Sequence, residues 1–256
     1  MKVFTSLLVA SAIFASVLAN PLQRVVGGED AAPHEFPYQI SIRSEKGTHH
    51  CGGSILNENY ILTAGHCIVP EGSVVVAGAH NIAKPSVNEQ RRKIEKFIVH
   101  KDYDGSVGPY DIALIKVDKP FVLNEFVQTI ALPESGVYPE GAAVVSGWGS
   151  TSRGFFPIFP DVLQKAILPI HTEEDCFKFW DVSPYDKKNV CAGELDGSNS
   201  VCSGDSGGPL AQKVGEENVV VGVVSWGKIP CGSSGKPGVF TLVSSFIDWI
   251  QENMED

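Results

Sequence analysis

Short β-type runs recurring along the whole chain, turn residues between them, and a single helical stripe at the C-terminus predict an all-β domain. Runs of this length with regular turn signals fit antiparallel sandwich or barrel architecture. At 256 residues the chain can bury one large all-β core or two small ones.

The first residues stand outside that fold. Lys2 precedes an apolar run from Val3 to Leu18, and Val17-Leu18-Ala19 is a small-residue cleavage pattern. The run is shorter than the ~20 residues that span a bilayer, so residues 1–19 read as a signal peptide cut after Ala19. A secreted, extracellular protein follows, with no membrane anchor. The β-type runs are Tyr38 to Ile42, Tyr60 to Ala64, Val74 to Ala77, Ile94 to Val99, Ile112 to Val117, Val144 to Trp148, Leu163 to Ile170, Val219 to Ser225 and Val239 to Val243. Glycine, proline, asparagine and aspartate separate them. A composition break at Leu132-Pro133-Glu134-Ser135-Gly136 marks a linker between two halves. Ser245-Phe246-Ile247-Asp248 has the form of a capping box, and Phe246, Ile247, Trp249 and Ile250 make an apolar stripe at helical spacing.

Charge narrows the partners. The chain carries 20 Lys and Arg against 30 Asp and Glu, a formal charge of −10, and loss of Lys2 with the leader makes it more acidic. Such a surface repels nucleic acid and anionic lipid. The small basic cluster Gln90-Arg91-Arg92-Lys93 reads as a solvated strand edge. Six cysteines in a secreted chain read as disulfides, and the absence of Cys-x-x-Cys argues against zinc. Sequence alone leaves their connectivity open.

Chemistry concentrates in three places. In Gly204-Asp205-Ser206-Gly207-Gly208-Pro209, glycines around a serine let adjacent N–H groups converge on one point. A serine needs a base to take its proton, and an acyl intermediate needs donors for its oxyanion. Thr63-Ala64-Gly65-His66-Cys67 sets a histidine at the end of a strand. Asp111-Ile112-Ala113-Leu114 opens an apolar strand with a carboxylate.

In the order His, Asp, Ser, these motifs resemble the chymotrypsin-like (trypsin-fold) secreted serine endopeptidases, from Arg24 to the C-terminal helix. The resemblance implies two antiparallel six-stranded Greek-key β-barrels with the active site between them and a C-terminal α-helix. The first barrel would occupy about 25–132, the second about 133–243 and the helix about 244–254. It implies Ser206 as nucleophile, His66 as general base, Asp111 as its orienting partner, and the N–H groups of Gly204 and Ser206 as the oxyanion hole. Arg24-Val25-Val26-Gly27-Gly28 resembles the family's activation site. Residues 20–24 would be a short propeptide, cut after Arg24 by a trypsin-like protease, and the new amine of Val25 would pair with Asp205. The implied disulfides are Cys51–Cys67, Cys176–Cys191 and Cys202–Cys231.

By the same resemblance Ser200 lies at the base of the primary pocket, where trypsin-like members have aspartate. Val201 lines it, Ser225, Trp226 and Gly227 form one wall, and Gly238 the other. A deep, neutral, apolar slot favours large apolar residues before the cut bond, nearest to chymotrypsins, with elastase- or collagenase-like breadth as the alternative. A digestive role follows, with venom, defence or tissue remodelling as the competing uses. Expected partners are protein and peptide substrates, the activating protease and protein protease inhibitors, on a monomer with no cofactor. Calcium-binding relatives have a glutamate after the glycine of a first-barrel loop, and here Ala79 follows Gly78. Glu89 alone offers too few oxygens, so no metal is expected. Gly65 stands where alanine is commoner. The segment Gly154-Phe155-Phe156-Pro157-Ile158-Phe159-Pro160 is very apolar for an exposed loop, and reads as local packing or as a contact for substrate or partner.

Overall fold

The computed structural model describes residues 26–180 and 185–254. The expected signal peptide and propeptide, with Arg24 and Val25, lie outside the described residues.

In the first half, strands β2 (Gln39–Arg43), β3 (His49–Ile55), β4 (Tyr60–Thr63), β5 (Val74–Ala77), β6 (Gln90–Val99) and β7 (Ala113–Val117) close into an antiparallel barrel in the order β2-β3-β4-β7-β6-β5. The side chains explain the closure. Ile40, Ile42, Ile55, Ile61, Leu62, Leu114 and Ile115 are wholly buried in one cluster. Each such side chain contributes about 1.5–3 kcal/mol by leaving water. Strand β6 alternates half-buried Arg92 and Ile94 with exposed Arg91, Lys93 and Glu95, so the basic cluster sits on a solvated strand.

The second half begins after the 132–136 linker. Strands β8 (Ala142–Gly147), β9 (Gln164–Pro169), β10 (Asn189–Ala192), β11 (Pro209–Val214), β12 (Glu217–Trp226) and β13 (Gly238–Leu242) run in the order β9-β8-β11-β12-β13-β10, and short β1 (Glu29–Asp30) extends the β9 edge. The sheet curls until its ends meet: Ile170 bridges Ala192, and Gly193 N donates to Pro169 O at 3.0 Å. Its core is Val145, Leu168, Val190, Leu210 and Phe240. Counted within each half, both sheets follow one cyclic order, 1-2-3-6-5-4. That repeat is invisible as sequence.

Two helices complete the chain. Helix α1 (Glu173–Phe179) is capped by Thr172, whose hydroxyl accepts from Asp175 N, and three acidic residues fill its first turn, where the helix dipole favours them. The C-terminal element opens as a 3-10 turn over Val243–Phe246 and continues as α2 (Ile247–Met254). Ser245 therefore sits inside the turn and is not its cap, unlike the expected capping box. The buried face of Phe246, Ile247 and Ile250 packs on the first barrel's core.

Candidate active site

Strand pairing brings the first two predicted groups together. Thr63 of β4 faces Ala113 of β7 in register, so the chain just after β4 and the chain just before β7 emerge side by side. The turn Gly65–Cys67 carries His66, and the Cys51–Cys67 disulfide ties that turn back to β3. Asp111 is buried. Its Oδ1 accepts from His66 N at 2.9 Å, and its Oδ2 lies 2.8 Å from His66 Nδ1. A carboxylate only accepts, so Nδ1 carries the hydrogen and Nε2 is left with a lone pair. Ser225 Oγ donates to the same Oδ2 at 2.5 Å, and Thr241 Oγ1 donates to Asp111 O at 2.7 Å. The preceding Tyr110 has φ 67°, a strained value for a non-glycine residue held here by its neighbours. Gly65 leaves room for Tyr103: a Cβ there would lie 3.0 Å from its ring and 3.3 Å from Asp111 Oδ1.

The serine comes from the second half. Ser206 O accepts from Gly52 N of β3 at 2.8 Å, and Gly207 N donates to Val224 O at 2.8 Å. Gly207 has φ +75°, and a Cβ on it would fall 2.2 Å from Thr63 Oγ1 and 3.0 Å from Cys67 Sγ. Only glycine lets this loop close on the His66 turn. Among the described residues, the N–H groups of Gly204 and Ser206 donate to no protein group, so both are open to an incoming acceptor.

Behind the serine lie two titratable groups, buried Asp205 and half-buried His49. Asp205 is enclosed by Gly147 and Gly149, whose missing side chains make its space, and accepts from Gly149 N and Cys202 N at 2.9 and 3.0 Å. Burial pushes its carboxyl up to about 6, against the pull of those two donors. His49 bridges the halves: Nε2 donates to Gly204 O at 2.9 Å, and Nδ1 lies 2.9 Å from Ser41 Oγ. A carbonyl accepts only, so Nε2 carries a hydrogen, and desolvation pushes the imidazole down to about 4, which keeps it neutral at pH 7. Nothing in Thr48-His49-His50 distinguishes it, since its role depends on a loop 155 residues away.

Beside Ser206 opens a cavity of about 230 Å³ lined by Val201, Cys202, Ser203, Val224, Ser225, Trp226, Gly227, Ile229 and Cys231, with Val107 reaching over from the first half and Lys228 at the rim. No carboxylate lines it. Two expected lining residues stand behind its surface. Ser200 is buried with its Oγ donating to Val201 O, and Gly238 backs Val201, whose Cγ2 would lie 2.6 Å from a Cβ there. Val201 thus occupies depth that the paired glycines led us to expect as open space. Trp226 is braced edge-on by Trp180 at 4.7 Å. Asp196 lies exposed on an outer loop, accepting from Ser198 N.

The remaining disulfides are Cys176–Cys191, under α1, and Cys202–Cys231, across the cavity. Closing chain separations of 15 to 29 residues, the three bonds each restrict the unfolded state by about 3 kcal/mol. Cys51, Cys67 and His66 lie close enough to suggest a metal site, but both sulfurs are spent in the disulfide. Glu89 is buried 3.6 Å from the guanidinium of Arg43, a neighbour that opposes a bound cation. Phe155, Phe156, Ile158 and Phe159 are exposed, so the apolar loop is not packed into the second barrel.

Comparison with known proteins agrees with this geometry. Residues 25–250 match the family described as Trypsin. Trypsin-1 of Astacus astacus is 39% identical over 238 residues, covering 90% of this chain and 99% of that protein. Coagulation factor IX of Cavia porcellus is 40% identical over 234 residues, 88% of this chain and 80% of its own length. Lectizyme of Glossina austeni is 38% identical over 249 residues, 92% and 88% of the two chains.

Proposed function

Because the chain belongs to the trypsin family of serine endopeptidases, we propose that it hydrolyses peptide bonds after large apolar residues, with Ser206, His66 and Asp111 as its triad. Ser206 Oγ attacks the substrate carbonyl while His66 Nε2 takes its proton. The oxyanion receives hydrogen bonds from Gly204 N and Ser206 N. His66 then hands the proton to the departing amine, leaving an ester on Ser206. Water, deprotonated by the same nitrogen, releases the acid and restores the serine. Asp111 fixes the Nδ1–H tautomer and stabilises the imidazolium. Its own alignment is held by Ser225 and Thr241.

The neutral, apolar cavity beside Ser206 carries the specificity reading. A substrate cation there would lose several kcal/mol of hydration with no carboxylate to replace it, and Lys228 at the rim repels it further. One observation favours a second reading: Val201, seated against Gly238, shortens the slot, which suits the smaller residues of elastase- or collagenase-like enzymes. Matched peptides differing only before the cut, with Phe, Leu, Ala or Arg, separate the two. The expected order puts Phe or Leu first, with kcat/KM for Arg at least ~100-fold lower. Arg in first place overturns the neutral-pocket reading, and Ala in first place selects the second one.

The same reading makes the protein secreted and zymogen-activated, with residues 1–19 as signal and 20–24 as propeptide. Removal of residues up to Arg24 by a trypsin-like protease would free the Val25 amine for Asp205. Three observations support it. The family match begins at residue 25. Val26 is buried, with Ser200 N donating to its carbonyl at 3.0 Å, so the chain enters the fold beside the pocket wall. Asp205 is a wholly buried carboxylate that a cation would stabilise. Substrates are proteins and peptides. A digestive task fits a broad apolar preference, ahead of venom or defence use, and protein inhibitors would compete for the same cleft of the monomer.

A further inference from the structure

We propose that Lys188 of the second half is a positioning residue for the hydrolysis: its ammonium clamps the Tyr110 ring and, through the Tyr110 backbone, keeps Asp111 aimed at His66. The inference rests on the triad reading above and extends it to a residue that does not line the cavity beside Ser206.

The aim of Asp111 is set one residue earlier. Ile112 N donates to Tyr110 O at 2.8 Å, which closes a three-residue turn centred on Asp111. His100 N donates to Ile112 O at 3.1 Å and ties that turn to the end of β6. The chain enters the turn from Tyr110 at φ 67°, where the Cβ of an L residue crowds its own backbone. Relaxing this angle to a negative value would rotate the peptide that joins Tyr110 to Asp111. The carboxylate would then leave His66 N and Nδ1, which it now meets at 2.9 and 2.8 Å. A bulky residue keeps such a conformation only where its surroundings over-determine it.

The ring supplies that restraint. Tyr110 stacks on His100 with ring centres 5.0 Å apart and stands edge-on to Phe246 at 6.0 Å, while His100 is backed by Phe246 and Trp249. The second half contributes Lys188. Its Nζ lies 5.4 Å from the Tyr110 ring centre and 5.2 Å from that of Phe246, within the range of cation–π attraction. The Lys188 backbone is fixed as well: its N donates to Asp186 Oδ1 at 3.0 Å, and Leu242 N donates to its O at 2.8 Å. Leu242 follows Thr241, whose hydroxyl holds Asp111 O. The second half thus grips both Asp111 and the residue before it. Packing alone does not call for an ammonium here, since an apolar side chain would cover the two rings equally well. Among the described residues no carboxylate lies within ion-pairing distance of Nζ, so the rings are what the cation answers to.

Lys188→Met and Lys188→Gln remove the charge and keep most of the length, while Lys188→Arg keeps the charge. On the activated enzyme with one peptide substrate, the uncharged variants should lose at least ~5-fold in kcat with KM within about twofold of wild type, and Lys188→Arg should recover most of the loss. The proton between His66 Nδ1 and Asp111, followed by NMR, should move upfield in the uncharged variants as that hydrogen bond lengthens. Tyr110→Gly can adopt the same φ but offers no ring, so adding Lys188→Met to it should change kcat by less than about twofold. Wild-type kcat in both uncharged variants overturns the clamp. So does a loss confined to KM, a loss that Lys188→Arg leaves unrepaired, or an equal loss in the Tyr110→Gly background. Wild-type turnover by Ser206→Ala overturns the triad reading beneath it, and the clamp with it.

Discussion

At the scale of single residues, the arrangement divides into groups that react and groups that hold them. Ser206→Ala removes the attacking oxygen without disturbing Gly52 N on Ser206 O, which is a backbone bond. The protein should fold with unchanged thermal stability while kcat falls by about five to six orders of magnitude; a burst-free, contaminant-checked assay at high enzyme concentration measures it. Wild-type turnover by that variant would remove Ser206 as nucleophile. His49 supplies a second, thermodynamic prediction. In the fold its imidazole is held down at about 4, against 6.5 when free. Between those values the unfolded chain binds the proton that the native state refuses, so stability rises with pH across that window and is lost on acidification. The melting temperature should fall from pH 6.5 to 4, and His49→Gln, which cannot titrate, should give a shallower slope. A slope identical to wild type would mean that other groups set it.

At the scale of elements, turns decide where chemistry sits. Gly207→Ala would force a Cβ to 2.2 Å from Thr63 Oγ1 at a φ of +75°. The Ser206 loop must then back away from the His66 turn, and activity should drop at least ~100-fold with a loss of about 1–3 kcal/mol in denaturant unfolding. Normal activity in that variant would show that the loop can shift as one body. The apolar runs that the sequence displays became β2, β4, β5, β6, β7, β8, β9, β12 and β13, because clustered Val, Ile and Leu report burial directly. Strand β3 escaped notice since His49-His50-Cys51-Gly52-Gly53 has little β-type composition; its glycines are demanded by Gly208 pressing on one face and Ile61 on the other. Short β10 and Pro-led β11 were hidden for similar reasons, and α1 by its brevity. The three residues proposed as the triad stand out in the sequence because their motifs are local. His49, and the retreat of Ser200 and Gly238 behind Val201, could not, because each depends on which distant segment arrives next to it.

At the scale of the whole molecule, the cleft exists only where two halves meet. Gln39 Oε1 accepts from Ser146 Oγ across that seam at 2.7 Å, and Gly52 N reaches Ser206 O. Activation is proposed to act on this seam. The precursor should be nearly inert, gain activity on trypsin treatment together with a new N-terminus at Val25, and stay inert as Arg24→Gln; full activity of the uncut chain would contradict it. The alkaline limb should follow the Val25 amine. Pairing with Asp205 would raise that amine above the ordinary α-amino range, so the proposed ion pair would be complete below the raised value and lost as pH climbs through it. Acetylating the amine of Val25 after activation should abolish activity at every pH, while an acetylated enzyme that retains its rate would exclude the pair.

The shared cyclic strand order has a consequence of its own. Each barrel closes mainly on its own hydrogen bonds and its own core, yet His66 and Asp111 belong to one and Ser206 to the other. On the proposed triad neither barrel alone would hold a competent nucleophile, so hydrolysis would be a coincidence signal for their docking. Two fragments divided in the 132–136 linker should be silent apart and recover turnover only on mixing, which would make the reaction rate a gauge of how firmly the barrels grip each other.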